Sequence, residues 1–230
     1  PRKEVDLLSR MRLDHDMRQA LSEGRFRLHY QPQVELGSDR VIGAEALIRW
    51  RDPQRGDISP AEFIPLAEES GFVVAIGEWV LREAVAQAAD WLGRGLRMPV
   101  AVNVSALQFQ QAHFVETVAE ALREANLPAS MLELELTEGV LLGDVDEALK
   151  RMQALAGLGV TLSIDDFGTG YSSLGYLKSF PIQRLKIDRS FVQGLPGDPS
   201  DVGIANAIVQ MGRALGLQVI AEGVETEAQR

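Results

Sequence analysis

Carboxylates and one carboxamide stand where short apolar runs stop. Val100-Ala-Val102 ends in Asn103, and Leu132-Glu-Leu134 ends in Glu135 and then Glu138. Leu162-Ser-Ile164 ends in Asp165-Asp166, and Val219-Ile-Ala221 ends in Glu222 and then Glu225. Glu45 sits inside the otherwise apolar stretch Ile42–Ile48, and Lys186 lies between Leu185 and Ile187, ahead of Asp188. Oxygen ligands of this kind suit a hard divalent cation, Mg²⁺ or Mn²⁺. An Asp-Asp pair suits two such ions about 3.5–4 Å apart, the arrangement that activates water and stabilises the leaving oxygen in phosphoryl transfer. Any one strand-end carboxylate is as simply read as a helix cap. Glu45, Asn103, Glu135, Asp165, Asp166 and Glu222 taken together are not, because clustered acids raise one another's pKa unless cations offset them. Lys186 is one cation and too little alone.

These residues need a scaffold that brings distant strand ends together. The chain has 230 residues and a net charge of −10, from 23 Lys plus Arg against 33 Asp plus Glu. That length fits one large domain or two small ones with ample core. An apolar content of 46% excludes wholesale disorder. No run approaches the roughly 18 apolar residues of a membrane span, and no signal peptide opens the chain. With no Cys, disulfides and thiolate metal sites are excluded, and His15, His29 and His113 have no zinc spacing. The acidic balance disfavours a nucleic-acid polymer as partner, though not a small phosphorylated ligand held through metal ions.

Strand-length apolar runs alternate with helical patterns. The predicted strands are Phe26–Val34, Val41–Ile48, Val100–Val104, Leu132–Leu136, Val160–Ile164, Arg184–Ile187 and Gln218–Ala221. Helices are predicted from Val5 to Glu23 and over Ile76–Leu92, Phe109–Ala125, Val145–Leu158 and Val202–Leu215, with Gly71, Gly93, Gly159 and Gly216 as stop signals. This alternation means α/β with a mainly parallel sheet, either doubly wound or a (β/α)8 barrel. Polar groups at the ends of so many strands favour the barrel, whose strand ends meet around one mouth.

Several residues stay open on pattern alone. Lys186 points opposite to Leu185 and Ile187, either into solvent or inward to orient an attacking water. Asp166-Phe-Gly-Thr-Gly-Tyr-Ser-Ser173 is either a lid that positions the two Asp residues or an ordinary turn. Arg49 is either a surface residue or a bidentate phosphate contact. Tyr30, Phe167 and Tyr171 are read as packing residues before base-stacking ones. The Asp-Phe-Gly triplet has no kinase companions, and no Walker or dinucleotide loop occurs.

Gln31-Pro32, Glu45-Ala-Leu47 with Arg49-Trp50, Asn103-Val-Ser105, Glu135-Leu-Thr-Glu138, Asp165-Asp-Phe-Gly-Thr-Gly170, Lys186-Ile-Asp188 and Glu222-Gly-Val-Glu225 follow one another in an order that resembles the EAL domain, a family of cyclic di-GMP phosphodiesterases. The resemblance covers about residues 24 to 230. It implies a modified (β/α)8 TIM barrel with an antiparallel first strand, and hydrolysis of cyclic di-GMP to linear pGpG. It implies that Glu45, Asn103, Glu135, Asp165, Asp166 and Glu222 ligate two Mg²⁺ or Mn²⁺ ions. Lys186 would contact the attacking water, with Glu45 and Glu222 also in the catalytic set. Gln31, Leu47, Arg49 and Glu225 would line the substrate site, and Glu138 would anchor the loop after Asp165.

The resemblance further implies a homodimer, an upstream diguanylate-cyclase or sensory domain joined through the helix within residues 1–23, and a cytoplasmic address, free or on a membrane-anchored protein. Two departures from the family pattern stand out. Gly139 occupies a position where many members have Ser. The family's last helix and its last strand, which carries a Gln-Gly motif, are missing from this sequence. The rival functions are an inactive cyclic di-GMP receptor, which usually lacks metal ligands, and Mg²⁺-assisted proton abstraction from a small acid.

Overall fold

The computed structural model describes residues 2–141, 143–167 and 174–230. In chain order it contains α1 (Arg2–Ser22), β1 (Phe26–Val34), β2 (Val41–Asp52), β3 (Gly56–Ile58), α2 (Pro60–Ser70), α3 (Val73–Gly93), β4 (Val100–Val104), α4 (Ala106–Phe109), α5 (Phe114–Glu124), β5 (Leu132–Thr137), α6 (Val145–Leu158), β6 (Thr161–Phe167), α7 (Leu174–Leu177), β7 (Arg184–Ile187), α8 (Arg189–Gln193), α9 (Pro199–Leu215) and β8 (Gln218–Ala221). The strands form one sheet in the order β1-β2-β4-β5-β6-β7-β8, with β3 as a flap on β2. β1 runs antiparallel to β2, and from β2 to β8 every neighbour on this path is parallel.

The sheet is curled into a barrel wall. Four strand spacings separate β2 from β7, which is about 19 Å in a flat sheet. Yet Lys186 Nζ on β7 lies 3.4 Å from Glu45 Oε2 on β2. Only closure of the sheet toward itself permits that contact. Arg230, past β8, donates to Leu36 O at 2.8 Å and pairs with Asp39 in the β1–β2 turn, so the two ends of the strand order also meet.

Side-chain alternation sorts the wall into two faces. On β2, Ala44, Ala46 and Trp50 are buried against the helical layer. Trp50 joins Phe26 and Phe63 in an aromatic cluster with ring centroids 5.5–5.7 Å apart. Glu45, Leu47 and Arg49, two residues apart each, are left to the other face. Thus packing of the small and aromatic residues against α2 fixes the register that aims Glu45 inward.

Two helices depart from the sequence expectation. The stretch Phe109–Ala125 is broken: α4 ends at Phe109, and α5 starts only at Phe114. Phe109 belongs instead to a separate turn directly after β4, which Ser105 starts by accepting from Gln108 N with its hydroxyl. On α1, Leu13, Met17 and Ala20 enter the core, whereas Leu8 and Met11 are exposed. The helical pattern there is real, but from Leu7 on its apolar residues are exposed up to Met11 and become buried at Leu13. Helix α2 and strand β3 escaped the pattern reading, because Pro60 and Pro65 read as breakers. Pro60 instead occupies the first helical turn, with Ser59 as cap. Gly71, Gly159 and Gly216 are left-handed caps; after α3 the left-handed residue is Gly95, not Gly93.

Candidate active site

Strands β2, β4, β5, β6 and β7 and the turn after β8 deliver Glu45, Asn103, Glu135, Asp165, Lys186 and Glu222 to one mouth. Glu135 and Lys186 are each 1% exposed and bonded, with Nζ 2.6 Å from Glu135 Oε2. The same ammonium lies 3.4 Å from Glu45 and 3.7 Å from Asp165, and pairs with Glu222. Asn103 Nδ2 donates to Glu45 Oε1 at 2.8 Å. The inward reading of Lys186 therefore holds: it is the hub on which four carboxylates converge.

Asp166 needs a separate device. Consecutive strand residues point to opposite faces, so Asp165 and Asp166 should diverge. Asp166 instead adopts φ = 53°, a left-handed conformation that Asp tolerates better than most residues. The β6–β7 pairing is also irregular between Ile164 and Phe167. This bulge turns the second carboxylate toward the same mouth. Asp166 N donates to Asp165 Oδ1 at 2.8 Å, which fixes the pair.

The carboxylates form two groups that could each hold a cation. Oxygens of Glu45, Glu135 and Glu222 lie within 4.8 Å of one another, as do those of Asp165, Asp166 and Glu222. Glu222 is common to both. Glu135 Oε1 is buried with no hydrogen-bond partner. A buried carboxylate oxygen left without a donor is costly, and a divalent cation satisfies it. The residues fit a metal.

The electrostatics say the same. Burial raises the pKa of Glu135, Asp165 and Glu222, although Lys186 opposes the shift in each. Asp166 is pushed up to about 7 by burial, by Asp165 and by a hydrogen bond with Asp188. Burial pulls the Lys186 ammonium down, but Glu135, Asp165, Glu45 and Glu222 outweigh it and hold it above the usual lysine range. In the metal-free protein these carboxylates favour the charged, hydrogen-bond-donating form of Lys186.

A pH dependence follows. The folded-state pKa of Asp166 exceeds its ordinary 3.8, so the metal-free fold holds a proton that the unfolded chain releases. Its stabilising contribution is present below about pH 4 and is lost as pH rises through about 7. Cations bind the ionised form. Mn²⁺ affinity measured by calorimetry should climb from pH 5 to pH 8, with protons released on binding. A flat profile would contradict this electrostatic account.

Other expected residues fall as follows. Gln31 sits directly opposite Glu45 on β1, and Leu47 and Arg49 continue the Glu45 face. Arg49 donates to Ile48 O at 2.8 Å and has no carboxylate partner among the described residues. Glu138 is half-buried in the 3-10 turn Glu138–Leu141 after β5. Glu225 is exposed and enters neither carboxylate group. Asp188, also at a strand end, caps α8 by accepting from Ser190 N at 2.8 Å. Tyr30 packs edge-on to Trp91 at 4.9 Å, and Phe167 is buried. Tyr171 and the loop segment 168–173 lie outside the described residues.

Two features went unread in the sequence. Below the Glu135–Lys186 layer, Glu133 pairs with Arg184, whose Nε donates to Gln218 Oε1 at 2.9 Å. The alternation Leu-Glu-Leu-Glu-Leu over 132–136 carried that signal, since it puts both Glu residues on one face. Beside Asn103, a largely apolar cavity of about 290 Å³ is lined by Leu47, Arg49, Pro60, Ile64 and Gln108, among others. Its far wall comes from α2 and α3, which no strand-end motif reports.

Known proteins resemble this chain in sequence and in fold. The family model of the EAL domain matches residues 14–230. The bifunctional diguanylate cyclase/cyclic di-GMP phosphodiesterase MucR of Pseudomonas aeruginosa is 51% identical over 221 residues, which is 96% of this chain and 32% of MucR. Cyclic di-GMP phosphodiesterase PdeR of Escherichia coli is 42% identical over 214 residues, 93% of this chain and 32% of PdeR. The chain thus spans about a third of these relatives. The solved PaMucR phosphodiesterase in complex with c-di-GMP superposes with a TM-score of 0.91 at 51% identity, covering 95% of this chain and 89% of that one.

Proposed function

The chain belongs to the EAL domain family, and on that premise we propose that it hydrolyses cyclic di-GMP to linear pGpG with two Mg²⁺ or Mn²⁺ ions. One observation carries the reading: the two carboxylate groups that share Glu222 and surround Lys186. Five carboxylates against one ammonium leave four negative charges when all are ionised, the charge that two divalent cations neutralise. Asn103 adds a neutral oxygen ligand. Bound there, the ions supply Lewis-acid polarisation of the phosphodiester and a stronger nucleophile from water.

The protein's own groups do the rest. Lys186 Nζ, charged and pinned by carboxylates, donates to the attacking water and orients its lone pair. Glu45 and Glu222 flank Lys186 and stand ready to take the water proton. Arg49, with no ion-pair partner among the described residues, holds a substrate phosphate. Gln31, Leu47 and Glu225 border the dinucleotide. A base enters the apolar cavity, whose volume is near the lower end of the roughly 300–1,000 Å³ of small-molecule sites. The water oxygen bonds to phosphorus, one P–O3′ bond breaks, and the proton ends on the 3′ oxygen.

The test is chromatography of cyclic di-GMP incubated with the protein and Mn²⁺, with pGpG as the expected product. Protein that binds the dinucleotide and Mn²⁺ but leaves it intact overturns the enzyme reading in favour of a receptor. In this reading the helix within residues 1–23 connects to an upstream diguanylate-cyclase or sensory module in the cytoplasm, Glu138 anchors the loop after Asp165, and the working assembly is a homodimer. No helix among the described residues is long and apolar enough to cross a membrane.

A further inference from the structure

We infer that Gln108 reads the base of the bound nucleotide, its carboxamide pairing with the hydrogen-bonding edge of a guanine seated in the cavity beside Asn103. The inference rests on the phosphodiesterase reading and adds to it a residue outside the metal site that contacts the base.

Gln108 is 4% exposed, a rare degree of burial for this residue type, and it lines the cavity. Its backbone is anchored, since Gln108 N donates to Ser105 Oγ at 3.1 Å. Its side-chain amide forms no hydrogen bond with any described residue. The amide atoms are not sealed from solvent but open onto the cavity, where a ligand can take the place of the water that otherwise pairs with them.

Helix α3 makes room for this amide. A Cβ on Gly77 would stand 2.2 Å from Gln108 Oε1 and 2.7 Å from Nε2. The amide therefore lies against the α3 backbone at Gly77, where the helix carries no side chain. The walls around it are apolar, including Ile64, Val73, Ile76 and Val80. Apolar walls take the faces of a purine, and one fixed polar group at the end of the slot reads its edge. Guanine offers N1–H and N2–H₂ as donors to Oε1. Adenine offers N6–H₂ to Oε1 and N1 to Nε2, so the amide can engage either purine, and a carboxylate at position 108, which only accepts, would separate the two.

The test compares wild type, Gln108→Met, Gln108→Glu and Gly77→Ala on cyclic di-GMP and cyclic di-AMP, with Mn²⁺ affinity and melting temperature measured on each. Gln108→Met keeps the volume and loses the amide, so KM for cyclic di-GMP should rise about 10–100-fold with kcat and Mn²⁺ affinity little changed. Gln108→Glu presents two acceptors to the two guanine donors, so its KM for cyclic di-GMP should rise less than that of Gln108→Met, while cyclic di-AMP is rejected more strongly than by wild type. Gly77→Ala displaces an intact amide and should raise KM as Gln108→Met does. The inference is overturned if Gln108→Met matches wild type, or if Gln108→Glu falls as far as Gln108→Met. Should one Gln108 variant not fold, the Gly77→Ala result decides. A wild-type protein that neither binds nor cleaves cyclic di-GMP would sink the phosphodiesterase reading first. An active wild type with an unaffected Gln108→Met sinks this inference alone.

Discussion

Asp165→Asn abolishes turnover of cyclic di-GMP, by about 10³-fold or more, and does so without unfolding the protein. The magnitude follows from the several kcal/mol of transition-state charge stabilisation that a catalytic metal supplies, at 1.36 kcal/mol per tenfold. Asp165 carries this effect because it belongs to the carboxylate group that includes Asp166 and Glu222. Asn retains the oxygen that accepts from Asp166 N and removes the charge. Asp165 already has a raised pKa from burial, so neutralising it relieves crowding in the metal-free protein. Two measurements separate this from misfolding. The variant should melt no lower than wild type at pH 8 without metal, and it should lose most of the stabilisation that Mn²⁺ gives wild type. Wild-type activity in Asp165→Asn would remove the Asp pair from the chemistry.

Lys186→Met produces the largest loss of stability. The side chain is 1% exposed and meets Glu135, Glu45, Asp165 and Glu222. Removing one partner from a buried ionic cluster costs about 3–5 kcal/mol, because the remaining charges stay buried and uncompensated. At about 2–4 °C per kcal/mol for a domain of this size, metal-free Lys186→Met should melt roughly 6–20 °C below wild type at pH 8. Two levers should reduce that gap. Acid reduces it, since protonating the raised-pKa carboxylates removes the repulsion. Mn²⁺ reduces it too, by supplying the missing positive charge. Turnover should not return with stability, because Met cannot donate to the water. Equal melting of the variant and wild type without metal would mean that the Lys186 charge does not hold the carboxylates together. Full activity in the variant would exclude the water-orienting role.

The strand ends were legible in the sequence for a simple reason. β1, β4, β7 and β8 have the predicted bounds, since a short apolar run between polar breaks has few other ways to fold. Burying such runs under helices forces a parallel sheet, and the carboxylates come with it to the C-terminal edge. α2 was illegible because Pro60 and Pro65 usually signal an end, and only a cap at Ser59 makes Pro60 a beginning. The Phe109–Ala125 stretch was read as starting too early because hydrophobic period alone does not show that Phe109 closes a preceding four-residue turn, begun by a capping serine.

The candidate site divides along the same line. The sequence by itself determined which side chains could ligate a metal, that they stand at strand ends, and the family to which their order belongs, because residue type and spacing are local properties. Only the tertiary structure decided that Lys186 points inward, that Asp166 turns to join Asp165, that Glu133 and Arg184 form a second buried layer, and that Gln108 faces a cavity. Each of these depends on closure of the sheet, on one left-handed residue at a bulge, or on the packing of α3 against α4. Such features arise from contacts between residues far apart in the chain, where the energy of the whole barrel outweighs the preference of any single segment.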